Sequence, residues 1–166
     1  MRTVADGRAD AAWAALGTVP DPEVPVISVV ELGIVRDVQV DGDAVTVVVT
    51  PTYSGCPAMR EIEHDIVAAL EAAGFARVDV RTTYAPAWTT DWITAEAREK
   101  LRAYGIAPPG PAEGPDLVPL RRRRVVACPY CGSEHTTLRS EFGSTACKAI
   151  HFCDACRQPF EEFKAI

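Results

Sequence analysis

The sequence predicts an α+β fold in which helices cover a three-stranded mixed sheet, followed by a small C-terminal β-ribbon that binds metal. Two β-branched runs, residues 34–40 and 44–50, are separated by Asp-Gly-Asp, which favours an antiparallel hairpin. Apolar residues then recur at helical spacing, which predicts a long amphipathic helix. Two Cys-x-x-Cys pairs near the end of the chain predict the ribbon.

Two short helices are expected before the hairpin. The segment DAAWAALG offers Asp10 as an N-cap and Gly17 as a stop. After a proline-rich turn, Ser28 precedes Glu31 by three residues, which is the spacing of a capping box, and Gly33 follows. We therefore expect one short helix on each side of this turn.

The other elements complete the order α-α-β-β-α-β-α. The run 44–50 is almost wholly apolar, so it is predicted to be the central strand. A helix is expected over residues 57–74, a third strand over 77–83, and a closing helix over 94–105 that starts at a threonine N-cap. The α-β-β-α-β part of this order predicts a sheet with helices on one face and its second and third strands parallel.

We expect two domains joined by a linker. Residues 1–105 form the predicted α+β domain, 106–119 a linker with five prolines and two glycines, and 120–166 the ribbon domain. Residues 1–110 carry 9 Lys+Arg against 16 Asp+Glu, net −7, whereas residues 111–166 carry 8 against 7, net +1. This charge difference favours two separate units.

Cys56 lies between the predicted central strand and the long helix, far from the other five cysteines. Free N–H groups and the positive end of a helix dipole favour an anion at such a position. We therefore expect its thiolate to form more easily than that of a free cysteine, whose pKa is about 8.5. The alternative is a structural cysteine buried in the core.

Asp21 and Glu23 are candidates to accompany Cys56. A carboxylate raises the pKa of a thiol, but beside a thiolate it can help to hold iron. One cysteine cannot complete an iron-sulfur cluster, so further ligands must come from a second subunit, a partner or small thiols. A Cys-His pair is not expected, because His64 lies eight residues further on, roughly 12 Å along a helix.

An aromatic loop follows the predicted third strand. Tyr84, Trp88 and Trp92 exceed what the core of a small domain requires. We expect them to be exposed near Cys56 and to form a protein-docking surface or a homodimer contact.

The C-terminal cysteines predict a zinc ribbon. Cys128, Cys131, Cys153 and Cys156 form two Cys-x-x-Cys pairs with 21 residues between them, and four thiolates are the ligand set of a structural zinc site. A single iron bound as in rubredoxin is the alternative, because the same ligands accept iron.

Three further residues lie near these pairs. Two complete pairs need no other ligand, so His151 is expected to be a strand residue and His135 a surface residue. Cys147 follows a Gly-Ser turn, which suggests an exposed loop and a second functional thiol.

Several function classes are disfavoured. Residues 121–124 are four arginines, but a pI near 5.1 and a net charge of −6 oppose nucleic-acid binding. No phosphate-binding loop, dinucleotide fingerprint or Gly-x-Ser-x-Gly elbow follows any predicted strand. No apolar run reaches the length of a signal peptide or of a membrane span, so a cytoplasmic protein is expected.

The sequence resembles two known families. The small iron-sulfur assembly domain of SufT-like proteins is similar over about residues 10–105, through DPEVPVISVVELGIVRDVQV and TPTYSGCPAM. The PaaD family, accessory subunits encoded with the multicomponent phenylacetyl-CoA epoxidase of phenylacetate degradation, is similar through APAWTTDWITAEAREKLRAYGIAPP and the cysteine-rich tail from residue 128 onward.

The resemblance implies an auxiliary protein with no catalytic activity of its own, which helps to assemble or repair the metal centre of an oxygenase. It implies that Cys56 is the functional thiol and binds the cargo, with Asp21 and Glu23 alongside it. The implied cofactors are structural zinc and a transient load of iron or an iron-sulfur cluster, and the implied partners are the oxygenase and reductase subunits. A rubredoxin-like electron carrier and a purely structural subunit remain as alternatives.

Overall fold

The computed structural model describes residues 4–112 and 124–166. It divides into two compact units, Met1–Trp88 and Thr89–Ile166. Part of the predicted linker, residues 113–119, and the first three residues of the arginine run, 121–123, lie outside the described residues.

The first unit is built on the three-stranded mixed sheet that the sequence predicts. Its strands are β1 (Val35–Asp41), β2 (Ala44–Val49) and β3 (Arg77–Thr82), in the order β1-β2-β3. β1 and β2 form the antiparallel hairpin, and β2 and β3 are parallel. Gly42, with a φ of 58°, provides the left-handed residue that the tight turn between β1 and β2 requires.

Two helices cover one face of this sheet. They are α1 (Val4–Leu16) and α2 (Met59–Ala72); α1 contacts β1 and α2, and α2 contacts β3. Four of the five residues that helical spacing predicts for the buried face of α2 are buried: Met59, Ile62, Ile66 and Leu70. The fifth, Ala73, is the C-cap and is half-buried. The facing residues of β2 are also buried: Val45, Val47 and Val49. The core of the unit therefore lies between the central strand and α2.

The predicted start of the first helix is wrong. The helix begins at Val4, so Asp10 lies inside it rather than at its N-cap. Arg8 holds this earlier part of the helix in place, because its guanidinium contacts Asp43 at 3.0 Å and lies over the Phe75 ring at 4.3 Å. A tertiary contact thus extends the helix beyond the local capping signal.

The predicted second helix is also wrong, although its capping box forms. The Ser28 N–H donates to the Glu31 carboxylate at 2.9 Å, and the Glu31 N–H donates to the Ser28 hydroxyl at 3.2 Å. Only one turn follows, because Gly33 has a φ of 77° and the chain enters β1 two residues later. A capping box specifies a start but not a length.

The second unit combines a helix with a four-stranded sheet. A short 3₁₀ helix (Thr90–Trp92) precedes α3 (Ala95–Tyr104), and the strands are β4 (Ile106–Ala107), β5 (Thr136–Ser140), β6 (Lys148–Cys153) and β7 (Pro159–Phe163). The strand order is β4-β7-β6-β5. Thr94 is the N-cap of α3 as predicted, because its hydroxyl accepts a hydrogen bond from the Ala97 N–H at 3.1 Å.

The division between the units differs in position from the expected domain boundary at residue 105. β4 directly follows α3 and pairs with β7 of the ribbon, so α3 belongs to the second unit. The first two residues of the expected linker are therefore part of a sheet. Within the described part of the chain, every helix is too short or too polar to cross a membrane.

Candidate functional site

Cys56 lies in the loop between β2 and α2, where the sequence places it. Its N–H donates to the Tyr53 carbonyl at 3.3 Å, and its carbonyl accepts from the Met59 N–H at 3.3 Å at the start of α2. Gly55, with a φ of 89°, allows the chain to turn back before the cysteine. Cys56 as a whole is half-buried.

The environment of Cys56 raises the pKa of its thiol above the ordinary value of 9.0. Burial is the largest cause, and the negative charge of Glu23 adds to it. Hydrogen bonds from the Ala58 N–H and from the Thr52 and Tyr53 side chains lower the pKa by less. The expectation of an easily formed thiolate is therefore wrong, because desolvation outweighs the donors at the start of the helix.

The structure separates the roles of the two acidic candidates. Asp21 is buried, and its Oδ1 accepts from the N–H groups of Glu23 at 2.9 Å and Val24 at 2.8 Å. Asp21 thus shapes the turn, whereas the charge of Glu23 acts on the Cys56 thiol. The structure brings Glu23 and Cys56 together from segments more than thirty residues apart in the sequence.

The aromatic residues do not form the expected exposed cluster. Tyr84 is 62% exposed, but Trp88 is only 4% exposed and its indole Nε1 donates to the Leu32 carbonyl at 3.0 Å. Trp92 is half-buried and belongs to the second unit. Trp88 is therefore a core residue of the first unit, and the expectation of an exposed Trp88 is wrong.

The four cysteines of the two Cys-x-x-Cys pairs come together as predicted. The Sγ atoms of Cys128, Cys131, Cys153 and Cys156 all lie within 4.8 Å of one another. Cys128 and Cys156 are 3.7 Å apart, and Cys131 and Cys153 are 3.6 Å apart. A tetrahedron with metal–sulfur bonds of about 2.3 Å has edges of roughly 3.8 Å. The donor set and its spacing fit a single tetrahedral metal ion.

Both pairs hold their sulfurs with the same backbone turn. In the first turn, the Cys128 carbonyl accepts from the Gly132 N–H, and the Cys128 N–H donates to the Ser133 carbonyl. In the second turn, the Cys153 carbonyl accepts from the Arg157 N–H, and the Cys153 N–H donates to the Gln158 carbonyl. All four bonds are 2.9 Å long. The repeated turn places two thiols of each pair on one side, where they face the other pair.

Cys153 and Cys156 differ in how readily their thiols ionise. Hydrogen bonds from the backbone N–H groups of Cys156 and Ala155 lower the pKa of Cys153 to about 7, whereas burial raises the pKa of Cys156 to about 12. Sulfurs this close cannot all be thiolates unless a cation neutralises them. The cluster therefore requires a bound cation to reach its fully ionised form.

The neighbouring candidates are not part of this cluster. His151 is buried, stacks on Phe160 with ring centroids 5.4 Å apart, and lies 2.8 Å from Glu162 through its Nε2. It is a strand residue as predicted, and His135 is exposed as predicted. Cys147 is only 4% exposed, so the expectation of an exposed thiol is wrong.

Sequence reasoning missed a network of polar side chains in the ribbon that runs from the buried His151 and Glu162 to the exposed Arg124. Glu162 contacts His151 on one side and the Arg124 guanidinium at 3.2 Å on the other. Gly110 lies against this guanidinium, so a Cβ atom at position 110 would displace the arginine side chain. No sequence signal marks the network, because its members come from three separate segments.

Comparison with known proteins gives matches to both parts of the chain. The family described as iron-sulfur cluster assembly protein matches residues 9–74, and the PaaD zinc beta ribbon domain matches residues 112–164. A protein of Escherichia coli that bears the name of a 1,2-phenylacetyl-CoA epoxidase subunit is 48% identical over 166 residues, which is 100% of this chain and 98% of that protein.

Two further relatives match little more than half of this chain. An Fe-S protein maturation auxiliary factor of Porphyromonas gingivalis is 39% identical over 88 residues, covering 52% of this chain and 83% of that protein. The crystal structure of a domain of unknown function from Bacillus anthracis is 26% identical, with a TM-score of 0.54, and covers 58% of this chain and 92% of that chain. Each of these two matches covers little more than half of this chain and most of the matched protein.

Proposed function

The chain belongs to the PaaD family of 1,2-phenylacetyl-CoA epoxidase subunits, and from this membership we propose that it is an accessory protein of the epoxidase. Its task is to assist the assembly or repair of an iron or iron-sulfur centre in the oxygenase. It works without a catalytic activity of its own. Its partners are the oxygenase and reductase subunits, and it acts in the reducing cytoplasm, where its thiols remain free.

One observation carries this proposal. Cys56 is a half-buried thiol outside the four-cysteine cluster, in a loop of the segment that matches the iron-sulfur assembly family. The cluster already has a complete ligand set, so it does not need the sulfur of Cys56 for its own metal. A soft ligand that is accessible and separate from the structural metal suits the transient handling of iron.

The raised pKa of Cys56 fits a thiol that is ionised only when its cargo arrives. Burial and Glu23 keep the thiol protonated at neutral pH, which protects it from oxidation. An incoming iron ion or cluster replaces the proton and stabilises the thiolate. The carboxylate of Glu23 then changes from an opposing charge to a favourable one, while Asp21 keeps the turn that carries it in place.

The single sulfur of Cys56 is too few to bind iron or an iron-sulfur cluster stably. Such weak binding suits a carrier better than a storage site. Iron-sulfur clusters usually take four cysteine ligands. The remaining ligands would come from the receiving subunit, from a second copy in a homodimer, or from small thiols. Release then follows when the receiving site offers a more complete set.

The four-cysteine cluster has a structural role in this proposal. Cys128, Cys131, Cys153 and Cys156 would hold zinc, which supplies folding free energy to a ribbon too small to be stable through apolar burial alone. The carrier role does not involve this metal. An electron-carrier function would instead require iron at the same four sulfurs.

The proposal is tested by growth on phenylacetate in a host whose own copy of the gene is deleted. Cys56→Ser keeps nearly the same volume but removes the soft ligand, so we expect loss of growth and an oxygenase low in active metal. Cys147→Ala is the matched control, because it removes another thiol that is not a cluster ligand. Growth of Cys56→Ser at the rate of wild type would favour the purely structural subunit.

A further inference from the structure

Two arginines of the second unit converge on one aromatic ring. The guanidinium carbon of Arg139 lies 5.2 Å from the centroid of the Phe152 ring, and that of Arg157 lies 5.3 Å from it. Both arginines are exposed, and Phe152 is half-buried. The ring face attracts cations, so it holds both guanidinium groups at the surface. These three residues are called the arginine–phenylalanine patch below.

Arg139 reaches the ring from a β-bulge. Leu138 pairs with His151 and Ser140 pairs with Ile150, so Arg139 is the extra residue between two consecutive pairs of β5 and β6. A bulge redirects the side chain of its extra residue. The irregularity in β5 thus directs Arg139 toward Phe152.

Arg157 reaches the same ring from a left-handed backbone. Its φ is 63°, and among the described residues it is the one non-glycine with a positive φ. The matching position after the first cysteine pair is Gly132, with a φ of 74°. Glycine adopts this conformation freely, whereas a residue with a Cβ does so at an energetic cost. Glycine would be sufficient for this turn, so we infer that the Arg157 side chain has a role other than forming the turn.

Neither guanidinium is neutralised by the described part of the protein. No carboxylate among residues 4–112 and 124–166 forms an ion pair with Arg139 or Arg157 within 4.0 Å. Other arginines do have such partners: Arg8, Arg81, Arg102 and Arg124. Two unpaired like charges beside an aromatic ring form a surface that a negatively charged group would stabilise.

We propose that the arginine–phenylalanine patch docks an acidic segment of a partner protein. Carboxylates of that segment pair with the two guanidinium forks, and an apolar side chain covers the ring of Phe152. Arginine and aromatic residues together are typical of the centres of protein interfaces. Two guanidinium groups form a patch too small for a long nucleic acid, which binds along an extended basic surface.

The test is binding of a short fluorescein-labelled peptide of Glu and Leu to the full-length, zinc-loaded protein, followed by fluorescence anisotropy. The variants are Arg139→Gln, Arg157→Gly and the double variant. Arg77→Gln is the matched control, because Arg77 is an exposed strand residue of the first unit and the charge change is the same. We expect the double variant to raise Kd about tenfold or more, with each single variant between it and wild type.

Arg157→Gly separates docking from packing. Glycine suits the left-handed backbone, so this variant should keep its zinc and melt at or above the temperature of wild type while binding the peptide more weakly. If the arginine serves only to pack on Phe152, the variant would melt lower and bind the peptide unchanged. Cys56→Ser should bind the peptide like wild type, so failure of the carrier proposal and failure of the docking proposal are distinguishable.

Four outcomes would overturn the docking proposal. The first is unchanged peptide binding by the double variant, and the second is an equal loss in Arg77→Gln, which would indicate a general charge effect. The third is displacement of the peptide by duplex DNA at lower concentration than by unlabelled peptide. The fourth is self-association of the wild type that the double variant abolishes, which would make a second copy of the chain the occupant.

Discussion

The indole Nε1 of Trp88 donates a hydrogen bond to the carbonyl of Leu32 at 3.0 Å, between residues 56 positions apart in the chain. The contact joins the segment after β3 to the turn that Ser28 and Glu31 close. Trp88 thus contributes to the core of the first unit rather than to a docking surface.

Trp88→Ala should destabilise the first unit by about 3–5 kcal/mol, because it leaves a large cavity and an unpaired carbonyl. Trp88→Phe keeps most of the ring and should destabilise by less. Chemical denaturation of both variants measures the difference, with Tyr84→Ala as an exposed aromatic control. A Trp88→Ala variant as stable as wild type would contradict the core assignment.

Loss of a cluster ligand should unfold the ribbon. Cys131→Ser, or removal of the metal by a chelator, should abolish amide-exchange protection in β5, β6 and β7, because a structural zinc site contributes about 10–16 kcal/mol to folding. β4 should lose protection as well, since it pairs with β7. Protection in β1, β2 and β3 should remain, because these strands belong to the first unit.

Metal analysis of the wild-type protein accompanies this experiment. One zinc per chain in colourless protein is the expected result. A near-stoichiometric iron content with a charge-transfer colour would instead support the electron carrier. Cys147→Ala should keep the full metal content, because Cys147 lies outside the cluster.

Cys56 should react slowly with iodoacetamide at neutral pH, because the pKa of its thiol is raised above 9.0. Burial and the charge of Glu23 raise this pKa, and Glu23→Gln removes that charge, so the variant should react faster than wild type at pH 8. Asp37→Asn, which removes an exposed carboxylate from β1, is the control. A reaction rate at Cys56 that is the same in Glu23→Gln and wild type would mean that Glu23 does not act on the thiol.

The raised pKa of the Cys56 thiol also makes the stability of the fold depend on pH. The thiol pKa is higher in the folded protein than in the unfolded chain, so its contribution is fully present below the unfolded value. That contribution is lost as pH rises through the folded value, which lies above 9.0. We therefore expect the free energy of unfolding of wild type to fall at alkaline pH by an amount that is missing in Cys56→Ala.

Glu161 should make the ribbon sensitive to acid. Burial raises the pKa of Glu161, but hydrogen bonds from Ser144 and the charge of Lys148 outweigh it, so the pKa lies below the ordinary value of 4.5. A carboxyl with a lowered pKa stabilises the fold above its unfolded pKa and loses this effect as pH falls through the folded value. Stability should therefore decline below about pH 4.5.

Glu161→Gln tests this interpretation. Lys148 is only 3% exposed and lies 3.3 Å from Glu161, so the variant leaves a buried ammonium group without its ion pair. We expect a loss of roughly 3 kcal/mol at pH 7 and a flatter acid profile. Glu134→Gln, at an exposed position of the same unit, should behave like wild type. An equally steep acid profile in Glu161→Gln would assign the acid sensitivity to other groups.

The features that the sequence predicted correctly depend on neighbours in the chain. The hairpin, the buried face of α2, the Thr94 cap and the four cluster ligands all follow from spacing within a few residues or from a repeated Cys-x-x-Cys pair. Such spacings determine local geometry wherever the segment lies. Parallel pairing of β2 and β3 was predictable because a crossover helix allows few alternatives.

Burial, charge and element length were decided by contacts between distant segments. Arg8 pairs with Asp43, which extends α1 toward the N-terminus beyond Asp10. The Leu32 carbonyl accepts a hydrogen bond from the indole N–H of Trp88. Burial, with a smaller contribution from Glu23, raises the pKa of Cys56, although its place before a helix favours the thiolate. Desolvation and electrostatic interaction sum over all groups that surround an atom in space. The sequence by itself therefore determined which residues are candidates for the chemistry, and only the tertiary structure decided their burial and their ionisation.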